Sequence, residues 1–242
     1  GAIPEDELRA RLTASPGRRL SPAELEADLA SLRGLYAEKG FADARLAVTA
    51  SARPPEAEGG PSPHDVVFSI SEGEATFFGK TVIRGNRATH SRVIERELAY
   101  REGDPLSYGK LIETQQNLAR LGVFGRIELT TFGRDPETRS RTALLTVSEG
   151  KPWSLVYGLG AEYNSGADSG KLSPRLSFGA SYNNLFGRAL YAGLEARYSR
   201  RDTRLLITLR ERALFDWRLP VSLTVFNAKE QRSSFDVARR GS

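Results

Sequence analysis

The sequence contains neither cysteine nor methionine among its 242 residues. The absence of cysteine excludes disulfide bonds and thiolate metal sites, and it leaves the redox compartment open. No apolar run approaches the ~18 residues that a membrane-spanning helix needs, so a helical membrane protein is excluded. The chain begins with glycine and has no signal peptide. Because glycine stands in place of an initiating methionine and no methionine occurs at all, we expect the chain to be a piece of a longer polypeptide.

The charge pattern of the chain bears on one class of partner, nucleic acids. Lysine and arginine number 35 against 30 aspartates and glutamates, which gives a formal net charge of +5. These charges are spread along the sequence and form no basic run, so we expect a solvated surface and no nucleic-acid partner.

Residues 1–150 contain one arrangement of elements twice. Ser21 and Glu24 begin a helix as a capping box, and each copy carries one apolar helical stripe. These stripes are Leu25, Leu29, Leu32 and Tyr36, and then Leu111, Leu118 and Leu121. Each copy ends in Ser-Glu-Gly, with Glu72 and Glu149 lying 77 residues apart. The order predicts an internal repeat whose helices pack on one face of a small sheet. The predicted helices are 4–14, 21–40, 91–100 and 107–122, and the predicted strands are 44–50, 66–70, 76–84, 126–132 and 141–147.

Residues 151–242 follow a different pattern, in which every second residue is apolar. The segments run to about ten residues, as in transmembrane β-barrels, whereas soluble strands average about 5–6. Arginine, glutamate and serine occupy the other face, so we expect the apolar face to meet lipid. A soluble β-sandwich is the less favoured alternative. The predicted strands are 153–163, 172–182, 190–198, 203–211 and 219–227. The aromatic residues near their ends, expected at the membrane interfaces, are Trp153, Tyr163, Tyr182, Tyr198, Phe215 and Trp217.

Several short motifs carry a family resemblance. They are GKTVIRGN at 79–86, LGVFGRIE at 121–128, LLTVSEG at 144–150, NNLFGR at 183–188 and Tyr163-Asn164-Ser165. The repeated modules resemble POTRA domains, and modules running directly into barrel strands resemble the BamA/TamA superfamily of outer-membrane assembly factors. The resemblance implies α+β modules of order β-α-α-β-β followed by antiparallel strands of a sixteen-stranded transmembrane barrel. About five of those strands lie in this chain. The implied domains are 1–73, without its first strand, 74–150, and the barrel strands 151–242. The family's inward-folded extracellular loop would lie downstream.

The resemblance also implies a function in the bacterial outer membrane, with the modules in the periplasm. Unfolded outer-membrane polypeptides would add to strand edges, with accessory periplasmic or lipoprotein partners and membrane lipid. The second strand of each module, 44–50 and 126–132, is expected at a sheet edge, and the first barrel strand would form the seam. The candidate residues are Arg126, Ile127, Glu128, Leu129 and Thr130, then Leu155, Val156, Tyr157, Gly158, Leu159 and Gly160. The alternatives are a two-partner secretion exporter of a soluble client and a soluble POTRA docking module.

The histidine and glutamate residues of the sequence do not predict an enzyme. His64 and His90 lie in a proline-rich loop and before a helix, without a ligand set around them. The pairs Glu72/Glu74 and Glu95/Glu97 are expected on solvated faces or turns, so they predict no acid-base dyad. We expect no cofactor, metal or catalytic site. Gly158 and Gly160 either thin or kink the barrel wall, which we favour, or weaken strand pairing where the barrel opens.

Overall fold

The computed structural model describes residues 1–19, 21–53, 63–163, 172–199, 202–211, 219–232 and 235–241. The helices in these ranges are α1 (Glu5–Arg9), α2 (Pro22–Glu38), α3 (Ser91–Glu95) and α4 (Tyr108–Arg120). The strands are β1 (Arg45–Ala52), β2 (His64–Ser71), β3 (Phe77–Arg84), β4 (Phe124–Phe132), β5 (Ser140–Glu149), β6 (Trp153–Tyr163), β7 (Leu172–Leu185), β8 (Leu190–Ser199), β9 (Asp202–Glu211), β10 (Val221–Arg232) and β11 (Phe235–Gly241). None of the described helices is long and apolar enough to cross a membrane.

The chain divides into two compact units, and the division runs through the second repeat. The first unit comprises Gly1–Val82, Ala99–Thr114 and Leu129–Leu144. The second comprises Ile83–Leu98, Gln115–Glu128 and Leu145–Ser242. The loop before α3, the end of β5 and the barrel strands therefore belong to one unit. We refer to residues 1–73 as the first module and to residues 74–150 as the second.

Helix α2 begins and ends as its sequence predicts. Ser21 Oγ accepts the Glu24 N–H at 3.4 Å, and Pro22 occupies the first turn. After the helix, Gly40 adopts φ +91°, which a side chain disfavours. The Phe41 N–H then donates to the Tyr36 carbonyl at 2.9 Å. The predicted stripe Leu25, Leu29, Leu32 and Tyr36 is buried, as expected.

Helix α1 is shorter than predicted. It ends at Arg9 instead of continuing to about residue 14. The reason is the buried carboxylate of Asp28, which accepts the backbone N–H groups of Thr13 and Ala14 at 2.7 and 2.9 Å. A carboxylate is a stronger hydrogen-bond acceptor than a helical carbonyl, so these two amides bind Asp28 and the helix ends before them.

The first module has a two-stranded antiparallel sheet of β1 and β2, with Leu46 opposite Ile70 and Val48 opposite Phe68. One face of this pair packs on α2. The core comprises Ile3, Leu29, Leu32, Leu35, Tyr36 and Leu46.

The second module has a three-stranded sheet of order β3-β5-β4, with β5 in the middle. Its core side chains are almost wholly removed from solvent, and the stripe residues Leu118 and Leu121 are buried while Leu111 is half-buried. The residues of this core with the lowest exposure are Phe78, Ile94, Leu118, Ala143, Leu145 and Val147. The predicted packing of a helix on a small sheet is confirmed in the first module, and the burial of Leu118 and Leu121 agrees with the same arrangement in the second.

Helix α3 ends at Glu95, not at residue 100 as predicted. Side chains of α4 bind the backbone that follows it. Asn117 Nδ2 donates to the Glu97 carbonyl at 3.2 Å, and Thr114 Oγ1 accepts the Ala99 N–H at 3.0 Å. These bonds replace helical ones, which explains the early end.

The barrel strands form a six-stranded antiparallel sheet in chain order from β6 to β11. The prediction of about five strands missed β11, which pairs with β10 from Phe226 opposite Gly241 to Arg232 opposite Phe235. Apolar alternation stops after Asn227, but backbone pairing needs no particular side chain, so the ladder continues. Phe215 and Trp217, and the predicted motif residues Asn164 and Ser165, lie outside the described residues.

The two faces of this sheet differ as predicted. One row across the ladder joins Leu155, Ala180, Leu194, Ile207 and Val225. A row on the other face, three positions along β6, joins Gly158, Ser177, Arg197, Arg204 and Ala228. The apolar face suits lipid and the opposite face suits a polar barrel interior.

Candidate functional site

The first candidate surface is the edge strand β4, whose one neighbour within the described residues is β5. Arg126, Glu128 and Thr130 are exposed, whereas Ile127 is half-buried and Leu129 is buried. This is the alternation that the sequence predicts. The guanidinium of Arg126 lies 2.6 Å from the Glu128 carboxylate.

The direction of the β4 backbone groups follows from one hydrogen bond. The Gly150 N–H donates to the Val123 carbonyl at 2.9 Å, so residue 123 points toward β5. N–H and C=O groups of successive residues point to opposite sides of a strand. Glu128 and Thr130 therefore direct their backbone groups away from β5, as a template for an added strand requires.

The second candidate surface is β6, which lies at the end of the barrel sheet and pairs with β7 alone among the described strands. The Asn183 N–H donates to the Pro152 carbonyl, so even-numbered residues of β6 point toward β7. Leu155, Tyr157 and Leu159 therefore direct their backbone groups to the free edge. Their side chains are 58%, 84% and 84% exposed, on the lipid-facing side.

Gly158 and Gly160 leave the opposite face of β6 almost bare. A Cβ on Gly160 would meet nothing closer than Arg175 Cβ at 3.9 Å, and one on Gly158 would meet the Ser177 hydroxyl at 2.5 Å. The register with β7 is continuous from Trp153 to Tyr163. The glycines therefore produce no bulge here, and thinning of the wall and weakened pairing both stay predictions. Val156 projects on this same face and is exposed.

Sequence reasoning missed a pair of equivalent carboxylates. Both oxygens of Glu72 accept the Ala2 N–H at 2.9 Å, and the Tyr36 hydroxyl donates to Oε1 at 3.0 Å. The Ala2 N–H holds the pKa of Glu72 below its ordinary value despite partial burial. Burial and the hydrogen bond to Glu72 raise the pKa of Tyr36 to about 12. Glu72 does lie in the segment after β2 and is partly exposed, but the expectation of a solvated turn did not include these hydrogen bonds.

Glu149 repeats this arrangement in the second module. Its carboxylate accepts the Ala88 N–H at 3.0 Å, and its Oε1 accepts the Thr89 N–H and hydroxyl at 2.7 Å each. Burial alone would raise the pKa of Glu149, but these donors outweigh it and the pKa lies below its ordinary value. In both modules the Ser-Glu-Gly carboxylate therefore binds the loop before the first helix. The repeated motif was the sequence signal for this role.

The second carboxylate is also linked to the turn between β7 and β8. Asn184 Nδ2 donates to Thr89 Oγ1 at 2.9 Å, and Asn184 Oδ1 accepts the Ala189 N–H at 2.9 Å. The His90 N–H donates to the Gly187 carbonyl at 3.0 Å. His90 thus contributes its backbone here.

The same turn has an unusual backbone. Asn184, Phe186, Gly187 and Ala189 all have positive φ, between 56° and 72°. For Phe186 and Ala189 this conformation costs about 1–2 kcal/mol each. Contacts must therefore hold the turn in place, and Phe186 is left 75% exposed within it.

No group of acidic or histidine side chains in the described part of the chain has the geometry of a metal site. The described residues offer two strand edges, β4 and β6, and the hydrogen-bonded group Glu149, Thr89 and Asn184. These features suit binding and positioning.

The POTRA family model, described as surface antigen variable number repeat, matches residues 1–73 and 76–150. The outer membrane protein assembly factor BamA of Neisseria meningitidis serogroup B is 25% identical over 198 residues, covering 82% of this chain and 23% of that protein. The chain thus spans about a quarter of this curated relative.

Two solved structures share the fold. BamA from Haemophilus ducreyi lacking POTRA domains 1–3 superposes with a TM-score of 0.70 at 16% identity, over 98% of this chain and 43% of that one. CdiB from Acinetobacter baumannii gives 0.56 at 14% identity, over 95% and 42%. The chain therefore belongs to the POTRA family and to the superfamily that includes BamA, with its modules in the periplasm and its barrel strands in the outer membrane.

Proposed function

We propose that this chain is the membrane-proximal part of a factor that receives unfolded outer-membrane polypeptides at β4 and templates their insertion at β6. The observation that carries the proposal is that β4 and β6 each have one edge without a partner strand among the described residues. Only Gly150, Lys151 and Pro152 separate β5, the neighbour of β4, from β6. Unpaired N–H and C=O groups on such edges recruit extended segments.

The proposed reaction needs no cofactor or energy source. A client strand in hydrocarbon carries unpaired backbone groups that each cost several kcal/mol, and barrel closure satisfies all of them. Pairing with β6 removes part of this cost before the client barrel closes. In the full-length protein β6 meets the last barrel strand, and this seam parts for the client.

The proposal includes a division of labour. Residues 1–73 and 74–150 are the periplasmic modules, which also offer surfaces to accessory periplasmic or lipoprotein partners. Residues 151–242 are the first strands of the barrel, in contact with lipid. The chain acts by binding and templating, without catalysis.

The β4 edge is tested with two variants at one position. Glu128→Pro removes an outward backbone donor, whereas Glu128→Ala removes the side chain and keeps the donor. We expect the proline variant alone to weaken binding of an extended peptide from an outer-membrane β-strand, measured by fluorescence anisotropy with the full-length protein. Equal affinity in both variants would exclude strand addition at β4.

The β6 edge is tested in the same way. Tyr157→Pro removes an outward donor, whereas Tyr157→Ala keeps it. We expect the proline variant alone to slow insertion of a small unfolded eight-stranded outer-membrane protein into liposomes that contain the full-length factor. The measurement is the rate at which the client becomes protease-resistant. If both variants insert the client at the parental rate, β6 is not the template.

A secretion exporter is the alternative class, since CdiB shares the fold. Cysteines placed across the seam, one of them at Leu159, distinguish the two classes. A disulfide there should block insertion of a membrane client. Export of a soluble client through the barrel interior should continue. Insertion at full rate with the seam closed would refute the proposed mechanism.

A further inference from the structure

We propose that Glu149, Thr89 and Asn184 form a polar joint that positions the second module on the first turn of the barrel sheet. The proposal goes beyond the two strand edges but rests on the proposed function, because the joint would set the geometry for transfer from β4 to β6. Its residues act as positioning residues.

The chemistry of the joint requires all three side chains. Thr89 donates its hydroxyl proton to Glu149 and accepts the Asn184 amide, so its one oxygen connects the carboxylate to the turn. Thr89 is only 3% exposed and Glu149 is half-buried. Water competes poorly for such bonds, and a charged acceptor strengthens the chain of hydrogen bonds.

The turn is shaped to meet this joint. Within the turn, Asn184 Oδ1 accepts the Ala189 N–H and so holds the run of positive-φ residues. From the second module, Thr89 Oγ1 accepts the Asn184 amide, and the His90 N–H donates to the Gly187 carbonyl. Gly187 also approaches the module closely, because a Cβ there would collide with the Ala88 carbonyl oxygen. A turn that only reversed the chain between β7 and β8 would need none of these contacts.

The first module supplies the internal control. Glu72 accepts the Ala2 N–H from its own loop and the Tyr36 hydroxyl from α2, and among the described residues its hydrogen-bond partners lie in the first module. The carboxylate alone is therefore a feature of the module, whereas Thr89 and Asn184 add the link to the membrane domain.

Asn184→Asp is the sharpest test of the joint. Aspartate keeps the acceptor for Ala189 and tolerates positive φ, but it cannot donate to Thr89 and it brings a second carboxylate toward Glu149. Thr89→Val removes the link from the other side at similar volume, and Thr89→Ser restores the hydroxyl. Glu72→Gln is the matched control.

The measurement is the distribution of distances between nitroxide labels at Glu95 on α3 and Leu194 on β8, in the full-length protein in lipid nanodiscs. Residues 1–242 contain no cysteine, and any cysteine elsewhere is replaced. We expect one narrow distribution for the parent, Thr89→Ser and Glu72→Gln. In Asn184→Asp and Thr89→Val the undocked population should rise about threefold to tenfold, as loss of one hydrogen bond shifts an equilibrium.

A parental distribution in both Asn184→Asp and Thr89→Val overturns the proposal, and so does a failure of Thr89→Ser to restore it. If one of the two variants fails to fold, the other decides. The distance measurement needs no client, so its outcome is independent of whether the parent inserts one. Insertion into liposomes tests the proposed function separately.

Discussion

The last strands of the two modules, β2 and β5, carry equivalent residues in different surroundings. In the first module Val66, Phe68 and Ile70 on β2 are half-buried. Their counterparts 77 residues on, Ala143, Leu145 and Val147 on β5, are at most 3% exposed. The difference is that β5 lies between two strands, whereas among the described residues β2 pairs with β1 alone.

This comparison shows what a covering strand contributes. In the second module β3 supplies Phe78, which is fully buried and stacks on Tyr100 with ring centroids 3.8 Å apart. In the first module the core opens into a cleft of about 450 Å³ beside Ile3, Tyr36 and Ile70. The third strand thus completes the core as well as the sheet.

The largest expected effect is at Phe78. Phe78→Ala should destabilise the second module by about 3–5 kcal/mol, because it removes a buried ring together with its stacking contact on Tyr100. Ile70→Ala, at a half-buried position that packs against the first-module core, should cost less. Amide hydrogen exchange of the intact protein in nanodiscs measures both. A larger cost at Ile70 would show that the first core is closed in solution.

The helix stripes come next in size. Leu118→Ala and Leu29→Ala should each cost about 2–5 kcal/mol as core truncations. Leu118 is 0% exposed and Leu29 is 8% exposed, so the second module should lose more. Denaturant-dependent hydrogen exchange in each module gives the two values. A loss below about 1 kcal/mol at either position would contradict its assignment to a core.

The start of α2 and the buried face of the helix stripes were predictable because the information is local. The capping box at Ser21 and Glu24 fixes where α2 begins, and the spacing of its leucines fixes the buried face. The barrel rows were predictable for the same reason, since period-two alternation assigns Leu155 or Ile207 to one face without knowledge of its neighbour.

What sequence reasoning missed depends on residues that are distant in the chain. Helix α1 ends early because Asp28 binds Thr13 and Ala14. Strand β11 has no apolar alternation and is held by its backbone pairing with β10. The link between Thr89 and Asn184 spans 95 residues. Asparagine in a turn predicts only a turn, so no local pattern indicates its partner.

The two Ser-Glu-Gly carboxylates should make both modules sensitive to acid. The folded-state pKa of Glu72 and of Glu149 lies below the ordinary value of about 4.3. Their contribution to stability is therefore present above that value and is lost as the pH falls through the lowered folded-state pKa.

Replacement by glutamine should lower stability at pH 7 and flatten this acid dependence. The effect should be larger for Glu149→Gln than for Glu72→Gln, because Thr89 gives Glu149 two donors at 2.7 Å. Hydrogen exchange at Ala2 and Thr89 between about pH 3 and pH 6 reports each module. An acid dependence unchanged in both variants would show that these carboxylates do not control it.

The smallest effect is expected at β4, the edge strand of the second module, because its exposed side chains lie outside the core. Arg126 and Glu128 form an ion pair with side chains 77% and 51% exposed. Exposed pairs contribute about 0–1 kcal/mol and are screened by salt. Glu128→Ala should therefore change the stability of the second module by less than about 1 kcal/mol, and added salt should reduce even that difference. Hydrogen exchange of β4 at low and high ionic strength measures it. A loss as large as that of Leu118→Ala would mean that this edge is part of the folded core, and it would remove the surface to which we assign client binding.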